Sequence, residues 1–156
     1  MSANKKPRRA YRPRPVDPQA AEFAVMAHRQ MDPDRATQIV NHVRAAYQRM
    51  REGNGDGRDY DVLGAALNVA VVRAERIGSG QPIVDGITAA MAALRGADRG
   101  ERYGFTGPGI LSMNCGIDLY EQVLQASTPR QMADATDEVV RRQRAGIVQR
   151  TEGATT

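Results

Sequence analysis

Six cations crowd into ten positions near the start of the chain, Lys5, Lys6, Arg8, Arg9, Arg12 and Arg14, with Tyr11 among them. Charge at that density neutralises phosphates and releases counterions, so it points to salt-dependent binding of DNA or RNA. Tyr11 is placed to stack on an unpaired base. Such a segment holds a polyanion in place better than it reads sequence. The same residues also fit docking on an acidic protein, or a solubilising tail with no specific role.

A second candidate is the glycine-rich stretch from Gly96 to Gly107, G-A-D-R-G-E-R-Y-G-F-T-G, which carries Arg99, Arg102, Tyr103 and Phe105. Loops set on a rigid scaffold often bind ligands, and the helix start at Pro108 would favour an anion. The plainer expectation is that Tyr103 and Phe105 tuck inward and plug the fold while the glycines make turns. Arg141, Arg142 and Arg144 form a candidate secondary basic surface, although arginines near a helix C-terminus are also explained by the helix dipole. No GxGxxG or Walker pattern is present, so no nucleotide cofactor site is expected.

Other chemistry finds little support. The segment Glu52 to Leu63 imitates the start of a calcium loop but has Asp59 where an aliphatic residue belongs and Leu63 where a bidentate Glu is needed. Asp59 reads more simply as the N-cap of the next helix. His28, His42 and Cys115 are too scattered for a zinc site, and Cys115 is expected to be small and half-buried. No carboxylate pair stands out as an acid and base. Catalytic residues, metals and cofactors are therefore none, and the expectation is a protein that is not an enzyme. A helix-turn-helix reading fails too, because the helix after G-S-G-Q is nearly all Ala, Ile and Met and has no side chains to read bases.

The elements that must position these residues follow from composition. In 156 residues, aromatic side chains are 4%, Trp is absent, and Ala, Val, Leu, Ile and Met supply the apolar content, a mixture that favours close-packed helices. The net charge of +4 is uneven: residues 1 to 18 hold six cations against Asp17 alone, which leaves the remainder at −1. Only two of the 22 cations are Lys, a bias that suits phosphate recognition and that a GC-rich genome also produces. No apolar run reaches the length of a membrane span and the start lacks the apolar centre of a secretory signal, so no membrane partner and a cytoplasmic location are expected. The single Cys115 fits a reducing compartment.

Residues 1 to 16, with three prolines and almost nothing to bury, read as a flexible arm, and residues 147 to 156 as a disordered tail. Between them, residues 17 to 146 are expected to form one bundle domain. Pro18, Pro33, Pro82, Pro108 and Pro129 each precede an apolar-periodic segment, with Asp17, Asp32 and Thr128 as N-caps and a capping box from Thr128 to Gln131. The spacing predicts helices over about 18 to 31, 33 to 52, 59 to 77, 82 to 95, 108 to 126 and 129 to 145. The third, V-L-G-A-A-L-N-V-A-V-V-R-A-E-R-I, has an apolar arc of roughly 200°, wide enough for neighbours on two sides, with Arg73 at its edge and its head in water. In the fifth, a seam of Ile110, Met113, Ile117, Tyr120 and Leu124 is joined by a second patch of Leu119 and Val123, which leaves room for a homodimer. The sixth places Met132, Ala135, Val139 and Val140 inward. The fold class expected is all-α, a single bundle of five to six helices.

The combination of K-K-P-R-R-A-Y-R-P-R-P-V with D-Y-D-V-L-G-A-A-L-N-V-A-V-V-R-A-E and R-Y-G-F-T-G-P-G-I-L-S-M-N resembles small helical accessory proteins of phages, prophages and plasmids from GC-rich Gram-negative bacteria. The resemblance implies action on host machinery or on mobile-element DNA. Two functions are expected from these observations. One is a non-catalytic binding protein that engages nucleic acid, DNA or RNA, or a nucleoprotein complex through the arm. The alternative is an accessory inhibitor of a host protein, such as a defence complex, acting through a helical face or the 96–107 loop.

Overall fold

The computed structural model describes residues 18–78 and 80–146. These form six helices, α1 (Pro18–Ala27), α2 (Pro33–Arg51), α3 (Gly57–Glu75), α4 (Gln81–Ala97), α5 (Gly107–Gln125) and α6 (Pro129–Arg144). The only β pairing among the described residues is one isolated bridge between Asp98 and Tyr103. The all-α bundle is thus what the punctuation of prolines and caps specified. Asp32 Oδ1 accepts from the backbone N–H groups of Asp34 and Arg35 at 2.9 and 3.1 Å. At α6, Thr128 and Gln131 exchange both bonds of a capping box. Each such bond satisfies an N–H that the first helical turn would otherwise leave without a partner. Asp17 lies outside the described residues.

Two helix starts and ends differ from expectation for identifiable reasons. Helix α1 stops at Ala27 instead of continuing to about 31. The Met31 N–H donates to the Ser127 carbonyl at 3.0 Å, and the Gln30 side chain donates to the Gln125 carbonyl at 2.6 Å. The chain before Pro33 is therefore anchored to the α5–α6 turn, and proline disfavours helix in the residue that precedes it. Helix α3 begins at Gly57, and its N-cap is Asp56, not Asp59. Asp59 is the third helical residue; its carboxylate accepts from the Asp56 N–H at 3.3 Å and is bound by Arg49.

The core is one contiguous cluster with α3 inside it, packed against α2, α4, α5 and α6. That accounts for the width of its apolar arc. Val40, Leu63, Leu67, Ile87, Met113 and Leu124 are fully buried. A small satellite of Val72, Ala135 and Val139 joins α6 to the far side of α3. Helices α4 and α5 approach so closely that a Cβ added at Gly116 would run into the Ala90 methyl, and one added at Gly86 into Leu119. Leu119 packs toward α4 while remaining partly exposed, and Val123 is buried in the core. The large apolar side chain that α5 leaves exposed is Leu111.

Three side chains sit differently from the expectation. Arg73 is buried, not wet at its head, and its Nε donates to the buried Ser127 hydroxyl at 3.0 Å. The carbonyl ends of α3 and α5 meet there, and their partial negative charge favours a cation. Cys115 is exposed because α5 turns that side toward solvent while Gly116 and Ile117 pack inward. Val140 is also exposed, with Val139 taking the inward place on α6.

Candidate functional site

The loop between α4 and α5 is built as a short hairpin. The Arg99 N–H donates to the Arg102 carbonyl at 3.0 Å and the Gly104 N–H to the Ala97 carbonyl at 2.9 Å, which frames the Asp98–Tyr103 bridge. The turn needs Gly100, at φ +82°, in the first of its two central positions, where a left-handed backbone is required. Asp98 accepts from the Gly100 N–H at 2.8 Å and locks the turn. Thr106 then caps α5 through the Gly109 N–H at 3.2 Å.

Both aromatic residues of the loop point back into the bundle, as the plainer expectation had it. Tyr103 stacks on Tyr60 with ring centroids 5.4 Å apart and an interplanar angle of 24°. Phe105 meets Tyr47 edge-on at 5.4 Å. Tyr47 donates to the Ile110 carbonyl at 3.2 Å, and the Arg51 guanidinium sits 5.7 Å from its ring centroid. Burial pushes the Tyr60 and Tyr103 phenols above their ordinary range, with the Asp98 carboxylate adding to the shift. Both rings remain half-buried for Tyr103 and Phe105, so each keeps some surface toward solvent. Between them and the α2–α3 turn lies an open cleft of about 960 Å³, lined by Gly53, Arg99, Glu101, Arg102, Tyr103 and Phe105 among others. Arg99 and Arg102 are exposed and have no ion-pair partner among the described residues.

The α6 arginines present a different picture. Arg142 Nη2 lies 2.7 Å from Glu75 and its Nε 3.0 Å from Glu138, while Arg141 lies 2.6 Å from Glu138. The hydrogen bond from Arg142 holds the Glu138 carboxyl below its ordinary range. Two of the three arginines are therefore matched by carboxylates, and Arg144 alone of the three is exposed without one. Lys5, Lys6, Arg8, Arg9, Tyr11, Arg12 and Arg14 lie outside the described residues.

A second cleft, of about 800 Å³, opens at the other end of α2, where Met26, Met31, Pro33 and Pro129 are flanked by Arg29 and Arg35. Nothing in the sequence pattern marked it, because its walls come from four separate helix ends. Nor did spacing reveal the Arg49–Asp59 pair or the Arg73–Ser127 contact, which join residues on different elements. Among the described residues no group of three or more His, Cys, Asp and Glu side chains could hold a metal ion. His28 and His42 are both exposed. No described helix is long and apolar enough to cross a membrane. The chain matches no protein-family model, no curated protein and no solved structure.

Proposed function

We propose that this is a non-catalytic binding protein that engages nucleic acid, or a nucleoprotein complex, through its basic N-terminal arm. The observation that carries the reading is the segregation of charge. Residues 1 to 18 carry +5 and the rest of the chain −1. Within the bundle, Arg44, Arg49, Arg130, Arg141 and Arg142 are each matched to a carboxylate of the bundle itself. The density of cations needed to displace a counterion atmosphere is thus found in the arm. Exposed Arg99 and Arg102, like Arg35, Arg58, Arg76 and Arg95, have no such partner and remain available to assist it.

The test is fluorescence anisotropy of labelled duplex DNA, single-stranded DNA and RNA, across roughly 50 to 200 mM salt, with the full chain and a chain beginning at Val16. Micromolar or tighter binding that falls steeply with salt and vanishes with the arm supports the reading. Equal binding by both chains removes the arm from the function, and absence of binding at the lowest salt removes nucleic acid.

A further inference from the structure

In helix α1, composition and burial disagree. Its sequence, P-Q-A-A-E-F-A-V-M-A, contains a single charge, Glu22, and distributes apolar residues around the whole helix. A helix apolar all round belongs inside a core. At 10 residues α1 also has little stability of its own and depends on packing. Yet, of its described side chains, Ala24, Val25 and Met26 are exposed, the last two at 56% and 57%, and Ala27 is half-buried. Each of the other five helices buries side chains in the core.

The chain holds this apolar surface in place without covering it. The Met31 N–H donates to the Ser127 carbonyl at 3.0 Å and the Gln30 side chain to the Gln125 carbonyl at 2.6 Å, so the segment after α1 is fixed to the α5–α6 turn. Met26 thereby becomes part of the wall of the cleft of about 800 Å³, together with Met31, Pro33 and Pro129. Exposed apolar surface thus runs from α1 into a concave apolar site, a combination that marks interaction surfaces. Arg29 and Arg35 flank the cleft. Its one lining carboxylate, Asp32, is occupied by the backbone N–H groups of Asp34 and Arg35. The negative charge that would complement the cleft is the one α1 itself carries, Glu22.

We propose that two copies of this chain associate about a two-fold axis at Met26, with the α1 helices antiparallel and each filling the cleft of the other copy. A two-fold contact is made twice from one self-complementary patch. This surface supplies both halves of such a match, an apolar helix with one carboxylate and an apolar cleft with two cations. An axis at Met26 opposes residues equally far from it along the chain. Glu22 of one copy therefore comes beside Gln30 and Arg29 of the other, and Val25 and Met26 leave water in both. A foreign chain would have to bring the same apolar face and the same carboxylate. The pairing also joins two segments of charge +5, residues 1 to 18 of each copy, in one particle, which raises avidity for a polyanion with no further contact.

The interface is confined to a short helix and one cleft, so association is expected in the micromolar class. Sedimentation equilibrium of the full chain, without nucleic acid, over roughly 5 to 200 μM should show a particle approaching twice the 17.0 kDa chain mass. V25E/M26E replaces exposed side chains, so its thermal melt should stay close to the parent while dimerisation weakens by about tenfold or more. E22R and R29E should each weaken it, and E22R/R29E should restore it, because the reversed pair attracts again. With the single cysteine removed, M26C/C115S should oxidise to a disulfide-linked dimer faster than L111C/C115S, whose cysteine stands on the exposed side of α5. A parent chain that is monomeric at every concentration overturns the inference and leaves the arm reading standing. A dimer that survives V25E/M26E, or one that cross-links faster through position 111, uses another face and overturns it too. Failure of E22R/R29E to improve on the single variants overturns the antiparallel pairing.

Discussion

Helix α5 meets α4 through fit, and helix α6 meets α3 through charge. At the first contact Gly116 lies against the Ala90 methyl and Gly86 against Leu119, with no room for an added carbon. At the second, a thin apolar strip of Val72, Ala135 and Val139 is bordered by Glu75, Glu138, Arg141 and Arg142. Close packing responds sharply to volume and little to salt. Exposed ion pairs respond to salt and tolerate changes of shape. The contrast predicts one seam that fixes the bundle's geometry and one attachment that loosens without unfolding the rest.

The largest effect should come from breaking the tight seam. Gly116→Val forces the two backbones apart and is expected to cost about 3 kcal/mol, the upper part of the range for overpacked cores. Thermal unfolding followed by circular dichroism should show a midpoint lower by roughly 6 to 12 °C. Gly116→Ala should still destabilise, even though alanine is the better helix former by about 1 kcal/mol, because the obstacle is a rigid methyl. Pairing it with Ala90→Gly removes that methyl and should recover much of the loss. If Gly116→Ala alone is neutral or stabilising, the close approach is not a constraint.

A second contrast lies within the turn that starts α3. Asp56 is exposed and caps the helix, accepting from Arg58 and Asp59 N–H groups at 2.9 and 3.1 Å. Asp56→Ala should cost about 1 kcal/mol, the usual worth of such a cap, independent of pH above neutrality. Asp59 is buried beside Arg49, whose hydrogen bonds hold its carboxyl below the ordinary range. A depressed folded-state value means that its contribution is fully present above the unfolded value of about 3.9 and is lost as pH falls through the folded one. Arg49→Gln removes the cause of the depression, so the acid limb of its stability curve should be flatter than the parent's between about pH 5 and 2. An unchanged limb would show that Asp59 does not titrate with folding.

These cases also show what the sequence made legible. The helix count and the starts of α2 and α6 could be read because proline and an Asp or Thr cap act within four residues of each other. The D-G-R-D segment was ambiguous for a physical reason: Asp56 and Asp59 are three apart, and either can cap alone. Arg49, ten residues earlier, decides between them by binding Asp59, a choice made by tertiary contact. The burial of Arg73 has the same origin, since Ser127 reaches it from the far side of the chain. Gly86 and Gly116 were visible as glycines inside apolar helices, where a glycine costs helix stability and so implies a close neighbour. In the 96–107 loop the inward aromatics were foreseeable because long loops usually bury theirs, whereas the opposed placement of Arg99 and Arg102 depends on where the turn falls.

The charged attachment gives the smallest effect and the most informative one about α6. Arg142 bridges Glu75 on α3 and Glu138 on its own helix, at 2.7 and 3.0 Å, with its side chain about a third exposed at 29%. Partial exposure means solvent screens much of the attraction, so Arg142→Gln should lower global stability by less than about 1 kcal/mol, and by less still in 0.5 M salt. Global unfolding is then a poor probe. Amide hydrogen exchange is a better one, because opening of α6 exposes the Val72, Ala135 and Val139 strip and the Met132 contact while the α4–α5 seam shares no residue with them. Arg142→Gln should speed exchange through the last turns of α6 while leaving amides around Met113 and Ile117 at the parent rate. Matching acceleration in both regions would show that α6 opens only when the whole bundle does, and that charge and fit act as one cooperative unit.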